Sequence, residues 1–241
     1  MKKHAKVSSK DAVRTFRRIR KAIGLLGVVL PIALFVLSLF PIFKTAVQSS
    51  ISAYYYTNLR EIFTGTLCAV SLFLILYKSS ENNVFWKDDD TMTNIAGIMA
   101  LGVAFFPTNP GSCQEKIYTL IPYYSKYLGC LHYFFAAAFF LMLAEISIFV
   151  FTIGQKKSKK IPASYLNENN IYKSCGIAIV VFTVMIVICD IFDLFPYSTL
   201  IFEALALWAF GISWLIKGRV LGDKGKIGRT LYREKHPKSI G

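Results

Sequence analysis

The residues of this chain with the means to do chemistry are few and far apart: Ser52, Tyr55, Arg60, His132, Asp190 and Glu203. A serine, a histidine and a carboxylate are the parts of a nucleophilic hydrolase or transferase, in which the histidine takes the hydroxyl proton. No GxSxG turn surrounds Ser49, Ser50 or Ser52, so that chemistry has no local signature. An arginine with carboxylates and tyrosine hydroxyls is equally the lining of a site for a polar ligand. A zinc centre would need several His or Cys ligands on facing elements. The other two histidines, His4 and His236, lie in the terminal segments, so no metal is expected. The glycine-spaced stretch KGRVLGDKGKIGRTLYREKHPKSIG lacks the GxxxxGK followed by Ser or Thr of a phosphate loop. No cofactor fingerprint is present, and none is expected.

Each of these residues stands at or near the end of a long apolar run, or just outside one. Of the 241 residues 54% are hydrophobic and 15% aromatic, and the mean hydropathy is +0.47. About 20 apolar residues form a helix that crosses a hydrocarbon core of about 30 Å. Lipid forces the backbone to satisfy its own hydrogen bonds, which leaves helices or a closed barrel. The runs do not alternate apolar and polar residues as barrel strands would. The expectation is an all-α polytopic membrane protein with six spans: Ala22–Phe43, Leu59–Lys78, Thr91–Pro107, Tyr127–Ile153, Ile171–Phe192 and Ser198–Lys217. Residues 22–217 then form one six-helix domain, flanked by a basic N-terminal segment 1–21 and a basic tail 218–241. Pro31 removes a backbone donor inside the first span and predicts a kink there.

Charge orients the bundle. The chain carries 28 Lys and Arg against 14 Asp and Glu, a formal net charge of +14. Basic residues gather before the first span, in the connections after the second and fourth, and after the sixth. The alternate connections hold only Lys44, Lys116 and Lys126. Lys and Arg favour the cytoplasmic side, which predicts both termini inside and makes the third, shortest span necessary. With topology accounting for the charge, no nucleic-acid partner is expected. The apolar run of the first span is too long for a cleaved signal and reads as a signal anchor. Ahead of it, Val13, Phe16, Ile19 and Ile23 recur at helical spacing among Arg14, Arg17, Arg18, Arg20 and Lys21. That pattern suits either a helix lying on anionic lipid or a simple retention signal.

This topology brings the chemically able residues to one rim. Arg60 and Glu61 begin the second span on the outer side, His132 begins the fourth, Asp190 and Asp193 end the fifth, and Glu203 follows the start of the sixth. Charges inside membrane helices are costly and tend to face the bundle interior and pair. An Arg60–Glu203 or Arg60–Asp190 ion pair is therefore expected, supported by the tyrosines of AYYYT, unless those tyrosines form an interfacial aromatic belt. Glu145 lies deeper, facing Asn94. Ala96, Ala100 and Ala104, and the pair Gly65 and Ala69, allow close helix approach. Cys68, Cys175 and Cys189 read as packing residues, whereas Cys113 and Cys130 share the outer side and could pair in an oxidising compartment.

The segments SISAYYYT followed by Arg60, GIMALGVAFFPT, LHYFFAAAFFLMLAE, IYKSCG and EALALWAFGISWLIKG together resemble an uncharacterised family of six-span bacterial inner-membrane proteins. The resemblance runs from about Ser49 to Gly218. It implies a bacterial plasma membrane and one compact helical domain, with shared polar positions at Ser50, Ser52, Tyr55, Arg60, His132 and Glu203, but no activity. The expected function is an outward-facing polar pocket that binds or transports a small molecule or lipid headgroup, in a protein whose basic face meets anionic lipid. The alternatives are an intramembrane lipid hydrolase or transferase using Ser52, His132 and a carboxylate, and a structural or assembly subunit whose rim clamps helices.

Overall fold

The computed structural model describes residues 9–77, 88–110, 119–152, 167–192, 194–222 and 231. Among them the chain is helical and holds no strand. The helices are α1 (Ser9–Ser38), α2 (Arg60–Ile75), α3 (Asp89–Phe105), α4 (Lys126–Glu145), α5 (Glu168–Phe192) and α6 (Ser198–Lys217). Two 3₁₀ segments, Pro41–Phe43 and Ser52–Tyr56, lie between α1 and α2, and α4 continues into a π-helical turn at Ile146–Val150. Consecutive helices pack on one another, and α6 closes the ring against α1.

Contacts sort the helix ends into two groups. At one end, Arg20 near the start of α1 donates to the Tyr77 hydroxyl just past α2. Tyr77 in turn reaches Asp89 at the start of α3. Lys217, the last residue of α6, donates to the Phe151 carbonyl after α4 at 2.9 Å and lies over the Phe151 and Tyr172 rings. At the other end, Tyr54 reaches Ser38, and the Leu200 amide of α6 donates to the Ser49 carbonyl. The helices therefore alternate up and down. Arg14, Arg17, Arg18, Arg20, Lys21, Lys173, Lys217 and Arg219 gather at the first end, hereafter the basic end, against Lys44, Arg60 and Lys126 at the other.

Among the described residues four helices are long and apolar enough to cross a membrane: α1 over Val13–Ser38, α4 with its π turn over Lys126–Val150, α5 and α6. Their outward faces are apolar, as at Leu25, Val29 and Ile32 of α1 and Ile177, Val181 and Val184 of α5. α2 and α3 have 16 and 17 residues, or about 24–26 Å at 1.5 Å per residue, short of a full hydrocarbon core.

The amphipathic N-terminal stretch is continuous with α1, contrary to a separate surface helix. Phe16 and Ile19 turn toward the bundle and pack on its core, with the Phe16 and Tyr77 rings edge to face at 6.3 Å. The first span also ends sooner than expected, at Ser38, because Pro41 starts a 3₁₀ turn that leaves Lys44 left-handed (φ 45°). α1 itself runs on through Pro31.

Small residues set the closest approaches. A Cβ on Gly24 would lie 2.8 Å from the Gly211 carbonyl oxygen, and one on Gly211 would lie 2.7 Å from that of Gly24, so α1 and α6 touch backbone to backbone. Ala96, Ala100 and Ala104 are completely buried, and beside them the Ser71 hydroxyl donates to the Gly97 carbonyl at 2.6 Å, joining α2 to α3. Gly65 was expected to serve a close approach too, but it faces open space.

Candidate functional site

The segment after α1 turns back into the bundle instead of lying on its rim. Ile51, Ser52, Tyr54 and Tyr55 are buried, with Tyr54 inaccessible and Tyr55 2% exposed. The AYYYT tyrosines thus do not form a belt at the lipid surface. Their hydroxyls go to specific partners: Tyr54 to Ser38, Tyr55 to the Phe105 carbonyl at 3.1 Å and Tyr56 to the Thr108 carbonyl at 2.5 Å. A helix C-terminus leaves carbonyls without intrahelical partners. Here neighbouring side chains satisfy those at and just beyond the end of α3.

His132 joins this capping arrangement. Its Nδ1 lies 2.8 Å from the Phe106 carbonyl oxygen, which can only accept, so Nδ1 carries the proton. The ring is 1% exposed, and its Nε2 has no hydrogen-bond partner among the described residues. In the neutral ring that nitrogen is a bare acceptor.

Glu203, one turn into α6, accepts a hydrogen bond from the Ile51 amide and is also bonded by the Ser52 amide and hydroxyl. This overturns the expected ion pair. Arg60 stands at the head of α2, where its guanidinium meets neighbouring Glu61 at 3.4 Å, the Arg60 side chain half-buried and that of Glu61 exposed. The topology put Arg60 and Glu203 at the same level, but the inserted segment supplies the carboxylate with backbone donors first.

A cavity of about 430 Å³ opens at this end of the bundle, within the range of small-ligand sites. Four of the residues singled out from sequence line it: Ser52, His132, Asp190 and Glu203. Tyr55 and Arg60 are not among its lining. The inserted segment contributes Ser49 and Ser50, the stretch after α3 Thr108 and Asn109, and α5 Thr183. Apolar lining comes from the same helices, with Ala136, Ala137 and Phe140 of α4 following His132 and with Ile186 and Val187 of α5 lying between Thr183 and Asp190. A second void of about 30 Å³ lies between Leu30, Phe63, Val103 and Leu207, and shares Ser52, Ala136, Phe140 and Glu203 with the first. Those four residues therefore stand at the partition, and the smaller void has room for about one water.

Sequence reasoning missed Thr183, a lone hydroxyl within the apolar run IVVFTVMIV, and that isolation was a usable signal. It also missed the polar cluster at the basic end, where Arg20, Tyr77 and Asp89 bind three helices and Lys217 binds two more. Tyr77, Tyr172 and Glu168 stand at or just outside the ends of apolar runs, and nothing local marks them as buried. Glu145 does not line the cavity, and Asn94, its expected neighbour, is exposed.

A serine hydrolase requires Ser52 bonded to His132. That bond is not made, since the Ser52 hydroxyl engages Glu203 and His132 Nε2 has no partner among the described residues. Among the described residues no three His, Cys, Asp or Glu side chains gather to hold a metal. Cys68, Cys130, Cys175 and Cys189 are free thiols. Cys113, with its suggested pairing to Cys130, lies outside the described residues, as do Asp193, His4 and His236. No family model, curated protein or solved structure matches the chain, and the functional reading therefore rests on the cavity and its lining.

Proposed function

We propose that this chain is a six-span protein of a bacterial inner membrane, with both termini cytoplasmic, whose cavity faces outward and binds or transports a small molecule or lipid headgroup. The observation that carries the reading is the convergence of Ser52, His132, Asp190 and Glu203 on one cavity, at the bundle end remote from the basic residues. Basic residues favour the cytoplasmic side, which puts the cavity on the outer side and the basic end against anionic lipid. α2 and α3 complete the six spans despite their length. Irregular backbone is tolerated at membrane depth where protein satisfies it, and the Tyr55, Tyr56 and His132 bonds do so for the end of α3. The motif resemblance to six-span inner-membrane proteins points the same way.

The test combines topology with occupancy. Single cysteines placed at Lys44 and Lys126 in a cysteine-free chain are expected to react with an impermeant maleimide in whole cells, and one at Lys217 only after lysis. Reaction of the Lys217 site in whole cells would overturn the orientation. Ala137→Trp, which fills the cavity, is expected to leave the protein folded while abolishing whatever saturable ligand binding the wild type shows.

A further inference from the structure

The lining of the cavity selects a chemical class of occupant, an inference that rests on the ligand-site reading above. Its polar wall is rich in acceptors. Asp190 and Glu203 bring carboxyl groups, His132 brings a buried Nε2 with no partner among the described residues, and no Lys or Arg is among the described lining residues. The hydroxyls of Ser52 and Thr183 already donate, Ser52 to Glu203 and Thr183 to the Ile179 carbonyl at 2.7 Å, and Ser49, Ser50, Thr108, Asn109, Tyr133 and Thr199 can both donate and accept. What the lining offers in one sense alone is charge: two carboxyl groups and no cation among its described residues. On α4, Ala136, Ala137 and Phe140 add hydrocarbon to the lining beside His132. An anionic ligand would meet two carboxyl groups and no cation, whereas a purely apolar one would leave buried polar groups unsatisfied, which costs about 1–3 kcal/mol each.

We propose that the cavity binds an organic ammonium: a protonated amine seated among Asp190, Glu203 and the bare Nε2 of His132, with its hydrocarbon body against Ala136, Ala137 and Phe140. An ammonium group offers several donors and a positive charge, matching the site in both number and sign. His132 is the distinguishing feature. A metal ion would want further anionic or imidazole ligands, and an acidic rim alone would recruit cations without orienting them. The acceptor comes from α4 and the carboxyl groups from α5 and α6, so three helices define the seat of the amine. The amine could arrive free in solution or as the headgroup of an aminophospholipid.

The test uses three probes with one body and different heads: phenethylamine, 2-phenylethanol and phenylacetate. Equilibrium binding to the purified full-length chain in an uncharged maltoside detergent is expected to be saturable for phenethylamine. It should be about tenfold or more weaker for the other two, tenfold being about 1.4 kcal/mol. Asp190→Asn, at an exposed position, is expected to fold normally and to erase most of that preference. His132→Phe should weaken phenethylamine binding more than phenylethanol binding, since the charged donor makes the stronger bond to Nε2. If all three probes bind alike and Ala137→Trp abolishes binding, the cavity is a ligand site but the ammonium assignment is wrong. Preferred binding of phenylacetate overturns the assignment as well. If none binds saturably, the ligand-site reading itself falls. Competition by dihexanoyl phosphatidylethanolamine, but not by dihexanoyl phosphatidylglycerol, would identify the amine as a lipid headgroup; no competition by either would identify it as a free amine.

Discussion

Glu203 and Arg60 give the sharpest division between the arrangement found and the ion pair that topology suggested. Replacing Glu203 with leucine removes the acceptor for the Ile51 amide and for the Ser52 amide and hydroxyl. Ile51 and Ser52 are 4% and 9% exposed, so their amides have little access to replacement partners. Each buried donor left without a partner costs about 1–3 kcal/mol. Two stranded amides therefore give an expected loss of about 2–6 kcal/mol, toward the lower value if water from the cavity reaches Ser52. Glu203→Gln keeps one carbonyl oxygen and should lose less. The Arg60–Glu61 pair, with side chains 29% and 73% exposed, itself contributes about 0–1 kcal/mol, and Arg60→Gln is expected to cost less than Glu203→Leu. A buried Arg60–Glu203 pair would instead make both substitutions cost about 3–5 kcal/mol. The assay is reversible unfolding by sodium dodecyl sulfate titrated into mixed micelles, followed by tryptophan fluorescence. Trp214 lies inaccessible in the core and suits that readout. A Glu203→Leu variant as stable as wild type, or an Arg60→Gln variant as damaged as Glu203→Leu, would refute the reasoning.

Two other substitutions probe the α1–α6 contact and the inserted segment. Gly211→Val places side-chain atoms against the Gly24 carbonyl and Val28 and should cost about 1–3 kcal/mol by overpacking, whereas Gly65→Ala, which meets open space, should hold or raise stability by up to about 1 kcal/mol; thermal unfolding of the pair decides. Tyr55 stands in the connecting segment outside the spanning helices, and burial pushes its hydroxyl above the usual 10, with a Thr119 hydrogen bond and Arg60 opposing that more weakly. The group contributes fully below the unfolded value and loses its contribution as pH rises through the higher folded one. Stability should thus be insensitive to Tyr55 at neutral pH and fall above about pH 10, with Tyr55→Phe flattening that decline.

Much of the architecture was legible in the residues. Apolar runs bounded by charges located each α-helix of the described residues, though not the basic first part of α1 ahead of Ala22, and Ser198–Lys217 coincides with α6 at both ends, because a 20-residue apolar run between polar flanks leaves little freedom in where a helix begins and stops. Four of the chemically able residues could be brought to one level by counting spans, and Ser52, His132, Asp190 and Glu203 do line one cavity. Tertiary structure decided the rest. Whether Glu203 would meet Arg60 or a backbone amide depends on the path of residues 39–59, which carry no periodic signal. Tyr55 reads as an interfacial aromatic until the inserted turn buries it against the end of α3. The amphipathic stretch ahead of the first span fits lipid or protein equally well by pattern. In the fold Phe16 packs on Tyr77 and the backbone at Arg17 and Lys21 lies against Gly218, so the stretch faces inward; periodicity records that a face is apolar and not what covers it.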